Sequence, residues 1–101
     1  MIRDQDYLDW LKTERCILTG QRASDHDAVD PAHIGTAGKS IKSSDDGALP
    51  LLHSLHVEAH QKGEMTTFRR LMPDWLLRLC LRAYAREMYR EWNANQPRSA
   101  A

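Results

Sequence analysis

Residues 29–64 read VDPAHIGTAGKSIKSSDDGALPLLHSLHVEAHQKGE, and the fold turns on how this stretch divides. With Ala28 in front, residues 28–34 predict a strand. Pro31 offers no ladder N–H, so the strand belongs at an edge or carries a bulge. Residues 35–48, GTAGKSIKSSDDGA, hold three glycines and three serines and read as an exposed loop. Its chemically interesting positions are Lys39, Lys42 and Asp45. After Pro50 the period becomes helical: Leu52, Leu55, His56 and Ala59 fall on neighbouring faces, and Gly63 is well placed to stop the helix.

Upstream, residues 6–13 set Tyr7, Leu8, Trp10 and Leu11 at helical spacing. CILTG, residues 16–20, predicts a strand entering a turn at Gly20, with 28–34 as the returning strand across the polar loop QRASDHD. Downstream, Thr66 or Thr67 caps a further turn around Phe68. Pro73 and Asp74 then open the longest helix, 74–93, with Leu76, Leu79, Cys80, Ala83, Tyr84 and Met88 as its apolar stripe. The tail QPRSAA reads as frayed.

With 42% hydrophobic and 28% charged residues in 101, the chain has the composition of an ordinary globular domain with one modest core. No run approaches the ~20 apolar residues that cross a bilayer. The start MIRDQDYLDW has three aspartates and no apolar stretch, unlike a secretory signal, so no membrane partner and a cytoplasmic location are expected. Cys16 and Cys80 could pair arithmetically, but neither belongs to a C-x-x-C, so no zinc knuckle is expected. Cys80, between Leu79 and Leu81, reads as a buried thiol, and Cys16 as packed behind the hairpin. The net charge of zero hides an asymmetry. Residues 1–61 carry six Lys/Arg against ten Asp/Glu, and residues 62–101 eight against four. An acidic, His-bearing front suits cations and a basic rear suits phosphate, although many helices carry a basic face for solubility alone.

The histidines are the informative feature. His33, His53, His56 and His60 fall within 28 positions. His56 and His60, four apart on a predicted helix, project from one face about 5–6 Å apart at Cβ, close enough to share a divalent ion. An H-x-x-x-H pair on a random helix is more often surface chemistry without function. Here a strand ending in His33, a glycine-rich loop and this helix give a way to bring a third histidine to the same place.

The ordered set Asp30, A-H-I at His33, Gly38, Lys42, Asp45, Pro50-Leu51, His56, His60 and Gly63 resembles the short phage and prophage members of the HNH, or ββα-metal, nuclease superfamily. The resemblance is closest to those related to the phage recombination-enhancement nuclease. It covers residues 6–64, with DYLDWLKTERCILTG similar to the family's lead-in helix and first strand. The chain departs from the pattern in three places. Cys16 has Thr19 in its partner's place, Leu52 occupies a family cysteine position, and the middle Asn has no counterpart, Ala48 falling nearby.

The resemblance implies an α+β fold: a ββα-metal unit between an N-terminal helix and a longer C-terminal one. Its parts in one domain over 1–101 are a lead-in helix at 6–15, the ββα-metal motif at 16–63, a helical segment at 64–94 and a frayed tail at 95–101. It also implies a DNA endonuclease with His33 as general base and a divalent ion, Mg²⁺ or Mn²⁺ before Zn²⁺, on His56 and His60. Asp30 could bind the ion or orient His33, and Asp45 is available for the bridging role of the missing Asn. His53 lies three before His56 and could face the same ion, but it has no family counterpart; His26 reads as solvated. DNA contacts are expected from Lys39 and Lys42 and from Arg78, Arg82, Arg86 and Arg90, a four-residue repeat that can track phosphates without reading bases. The bland reading of that stripe is a solvated face with Glu87 and Glu91 as partners. The alternative function is a nuclease-derived DNA- or metal-binding module that does not cut. A purely helical interaction protein would leave the histidines without a reason.

Overall fold

The computed structural model describes residues 1–34, 44–71 and 74–97, and of 74–82 the backbone alone. Gly38, Lys39, Lys42 and Pro73 lie outside the described residues, as do the side chains of Leu76, Arg78, Leu79, Cys80 and Arg82. The chain is a small mixed α+β fold with two antiparallel strands and four α-helices among the described residues. These are α1 (Gln5–Leu11), β1 (Val29–His33), β2 (Ala48–Leu52), α2 (His53–Lys62), α3 (Glu64–Phe68) and α4 (Asp74–Ala94).

α1 starts where Asp4 caps it, the Asp4 carboxylate accepting from the Tyr7 N–H at 3.1 Å. Tyr7 and Leu11, one turn apart, are both fully buried. The expected strand at 16–20 is a turn instead. Gly20 takes φ +74° and its N–H donates to the Cys16 carbonyl, while the Cys16 N–H donates to Gln21 O. With Gly20 closing the backbone on itself, this short apolar run has no length left to extend. Its one bond to the sheet is from Ile17 N–H to Pro50 O, 2.9 Å.

The partner of β1 is therefore β2, in a segment read above as loop end and helix start. The register sets Asp30 opposite Leu51, Pro31 opposite Pro50, Ala32 opposite Leu49 and His33 opposite Ala48. Facing prolines are tolerated because alternate pairs in an antiparallel ladder exchange no N–H. The bonds just beyond the ladder, Ile34 N–H to Gly47 O and His53 N–H to Ala28 O, fall in that same phase. All five residues of β2 are buried, so ALPLL shows a continuous apolar run rather than an alternation.

α2 begins without a cap of its own, Leu52 occupying that position. Asp27 supplies one from the loop before β1, accepting from the Ser54 N–H (2.9 Å) and the Ser54 hydroxyl (2.6 Å). Those two donors hold the Asp27 carboxyl below the usual carboxylate range. Gly63, at φ +95°, ends α2 and opens α3. Thr67, expected as a cap, lies instead inside α3, fully buried. Arg70 closes on Glu58 at 2.8 Å, tying the end of α3 to α2.

Two apolar clusters result. One lies behind the hairpin and α2, with Cys16, Val29, Leu49, Leu51, Ala59 and Phe68 among its members; Cys16 is a buried free thiol. The other joins α1 to α4 through Tyr7, Leu11 and Ala48, with Trp10, Tyr89 and Trp92 packed against them. No helix among the described residues is long and apolar enough to cross a membrane.

Candidate active site

Strand β1 delivers His33 at its last position, and α2 delivers His56 and His60 one turn apart. All three histidines, with Glu64 at the start of α3, line one cavity of about 270 Å³ over an apolar floor that includes Leu51 and Phe68. Each of its two histidine walls is backed by a carboxylate.

Behind His33 stands Asp45, 5% exposed, in a 3₁₀ turn, Asp45–Gly47, that leads into β2. The His33 Nε2–H donates to Asp45 Oδ1 at 2.9 Å, and the Asp4 N–H donates to Asp45 Oδ2 at 2.7 Å. The Arg3 guanidinium lies 3.6 Å away. Burial pushes the Asp45 carboxyl up, but the Asp4 N–H, His33 and Arg3 outweigh it and hold the group below the ordinary carboxylate value. An ionised Asp45 only accepts, so the His33 proton sits on Nε2 and the Nδ1 lone pair is left to take a proton.

Behind His56 stands Asp30. Its Oδ2 accepts from His56 Nδ1 at 2.9 Å and from His53 Nδ1 at 2.6 Å. Partial burial pushes this carboxyl up as well, and the two imidazoles overcome it, so Asp30 is ionised. With Nδ1–H given to Asp30, the His56 Nε2 lone pair points away, toward His60 Nε2 at 3.1 Å. The two rings sit 4.7 Å apart between centroids. That nitrogen separation fits one ion. With metal–nitrogen bonds of about 2.1 Å, adjacent octahedral sites put two nitrogens about 3.0 Å apart and tetrahedral sites about 3.4 Å. A carboxylate on the far nitrogen of a ligating imidazole is the usual way to fix its tautomer and orientation. Among the described residues no three His, Cys, Asp or Glu side chains surround a single ion position as they stand.

The structure thus brings His33, His56 and His60 to one cavity with Asp45 and Asp30 behind them, and it pairs Asp30 with His56 rather than with His33. Of the basic stripe, the two arginines with described side chains, Arg86 and Arg90, are exposed on α4 and do not line the cavity; the side chains of Arg78 and Arg82 lie outside the described residues. Arg90 instead meets Glu87 at 3.1 Å. Glu64 was missed; its signal is its place four residues after His60, hidden by the Gly63 stop between them. His26 is exposed, as expected. Searched against protein-family models, curated proteins and solved structures, the chain finds no match.

Proposed function

We propose that residues 29–63 form a ββα-metal unit and that the chain is a divalent-ion-dependent DNA endonuclease. The observation that carries this reading is the two kinds of histidine that line one cavity. One is a histidine held by Asp45 with Nδ1 open; the other is two Nε2 atoms 3.1 Å apart, with Asp30 behind the first. The strand–strand–helix order and the resemblance of residues 6–64 point the same way.

Phosphodiester hydrolysis needs an activated water, charge neutralisation on the phosphate and help for the leaving oxygen. His33 Nδ1 takes a proton from the attacking water, and Asp45 stabilises the imidazolium that forms. The water oxygen bonds to phosphorus and the bond to the 3′ oxygen breaks. His56 and His60 are the residues that would hold the ion, and the chemistry it supplies when bound is Lewis-acid stabilisation of the phosphate and the 3′ oxygen. Two neutral imidazoles leave most of the coordination shell to water and phosphate oxygens, which suits Mg²⁺ or Mn²⁺. DNA backbone contacts are assigned to Lys39, Lys42 and the arginines of α4, and a cytoplasmic location is part of the same reading. One small fold has few base-reading elements, so cutting shows little sequence preference.

A plasmid-nicking assay with Mg²⁺, Mn²⁺, Zn²⁺ and EDTA side by side tests this. Nicking with Mg²⁺ or Mn²⁺ and none in EDTA is expected. DNA bound but uncut with every ion would make the chain a binding module instead.

A further inference from the structure

The proposed hydrolysis leaves His53 unused, although it makes the shortest of the histidine contacts. We propose that His53 is a nucleic-acid-binding residue that contacts a backbone phosphate flanking the scissile one, an assignment that rests on the nuclease reading. Three observations carry it. One oxygen, Asp30 Oδ2, accepts from the Nδ1 atoms of both His53 and His56. Both rings are therefore held with Nδ1 toward the carboxylate and Nε2 away from it. His56 turns its Nε2 toward His60, whereas the His53 side chain is 60% exposed. Finally, His53 is outside the cavity lining but only three positions before His56 on α2, which puts their Cβ atoms about 5–6 Å apart.

A polymer threaded through the cavity has further phosphates on either side of the one being cut, and His53, exposed and one turn from His56 on α2, is within reach of such a neighbour. Its 2.6 Å contact to an ionised carboxylate has the length of a charge-assisted bond. With Nδ1–H given to Asp30, the protonated ring has Nε2–H left to donate to a phosphate oxygen. A residue that served only to hold Asp30 would need Nδ1 alone.

The test is equilibrium binding of a labelled DNA duplex, followed by fluorescence anisotropy in EDTA near pH 6, so that no strand is cut. His53→Asn keeps an amide nitrogen close to the Nδ1 position and deletes Nε2. It should weaken binding roughly tenfold. It should also flatten the dependence of log affinity on log salt by about 0.9, the value for one phosphate contact on duplex DNA. Its affinity for Mn²⁺, measured by calorimetry, should match the parent's. Parent-like DNA affinity and salt slope in the variant would overturn the assignment and leave the nuclease reading standing. So would a loss of Mn²⁺ affinity with DNA binding intact, because His53 would then act only by holding Asp30. A parent protein that binds no duplex removes the DNA reading, and this assignment with it.

Discussion

Behind the candidate site the core is built of small aliphatic residues, a thiol and Phe68. Between α1 and α4 it is built of rings: Tyr89 meets Tyr7 edge-on at 4.8 Å, and Trp92 and Trp10 lie at 5.4 and 6.0 Å from Tyr7. Polar atoms are treated differently in the two regions. In the aromatic region they bond to close the packing, as when the Tyr7 hydroxyl donates to Ala48 O and the Tyr89 hydroxyl to Asp4. Around the site, carboxylates grip imidazoles, and each imidazole keeps a second nitrogen turned elsewhere. The aromatic region is held by area and by hydroxyl hydrogen bonds, and the site by carboxylate–imidazole bonds that fix which nitrogen each ring turns to its carboxylate. Residues 44–48 join them, since Asp45 binds both His33 and the Asp4 N–H ahead of α1.

Deleting the base should give the largest effect. His33→Ala is expected to lower cleavage by roughly 10²–10⁴ while circular dichroism and DNA affinity stay near parental values. Wild-type cutting by this variant would show that the Asp45–His33 pair is only structural, and the contrast between the regions would lose its chemical half. The metal wall comes next. His56→Ala and His60→Ala should each lower Mn²⁺ affinity, and Asp30→Asn should lower it by about 10–100-fold while both histidines of the pair stay in place. Unchanged Mn²⁺ affinity in both histidine variants, by calorimetry, would remove the ion from this wall.

The unequal legibility of the sequence has the same origin as this division. α1, α2 and α4 were readable as helices from apolar residues at helical spacing, with Gly63 as a stop and Pro73 as a start; the Asp4 cap of α1 was not, and Tyr84, expected in the apolar stripe of α4, is half exposed. The His33, His56 and His60 grouping was readable from spacing and resemblance together. Strand β2 was not, because a fully buried ALPLL has no alternation, and Pro50 read as the start of a helix. The turn at 16–20 was not, because its partner, Gln21, lies within the same turn rather than across a sheet. Nor was the pairing of Asp30 with His56 and His53, which depends on the β1–β2 register and on where α2 leaves the sheet.

A smaller effect should separate the two regions by their response to acid. Asp45 is held below its unfolded value of about 3.9, so its contribution to stability is complete above about pH 4 and is lost as pH falls through the lower folded value. Asp45→Asn leaves one acceptor where two N–H groups donate, and should cost about 1–3 kcal/mol near neutrality. Denaturant melts should show the gap between parent and variant closing on acidification. Tyr7→Phe removes the bond to Ala48 O and should cost about 1 kcal/mol. Burial pushes the Tyr7 phenol up, away from any acid titration, so its gap should stay constant over the same range. Parallel curves for the two variants would mean that Asp45 is not held as an anion.

The last test concerns whether the aromatic region touches substrate at all. α4 belongs to it, and the side of α4 bearing Glu87 and Glu91 lines a groove with Trp10, Tyr84, Met88 and Trp92, a surface that repels phosphate. Arg86 and Arg90 do not line that groove, so their contact with DNA belongs to another face of α4. Replacing Arg78, Arg82, Arg86 and Arg90 together by Gln holds helix propensity nearly constant and removes four positive charges. For a stripe lying on the backbone, affinity should fall for every sequence, and the salt dependence should flatten by about 0.9 for each phosphate no longer neutralised. Cleavage at saturating DNA should survive, since neither described arginine lines the cavity. Arg90 already meets Glu87, whereas among the described residues Arg86 makes no ion pair, so Arg86→Gln alone should flatten the slope more than Arg90→Gln. An unaltered slope in the fourfold variant would make the stripe a solvated face and would confine all substrate contact to the region of the histidines.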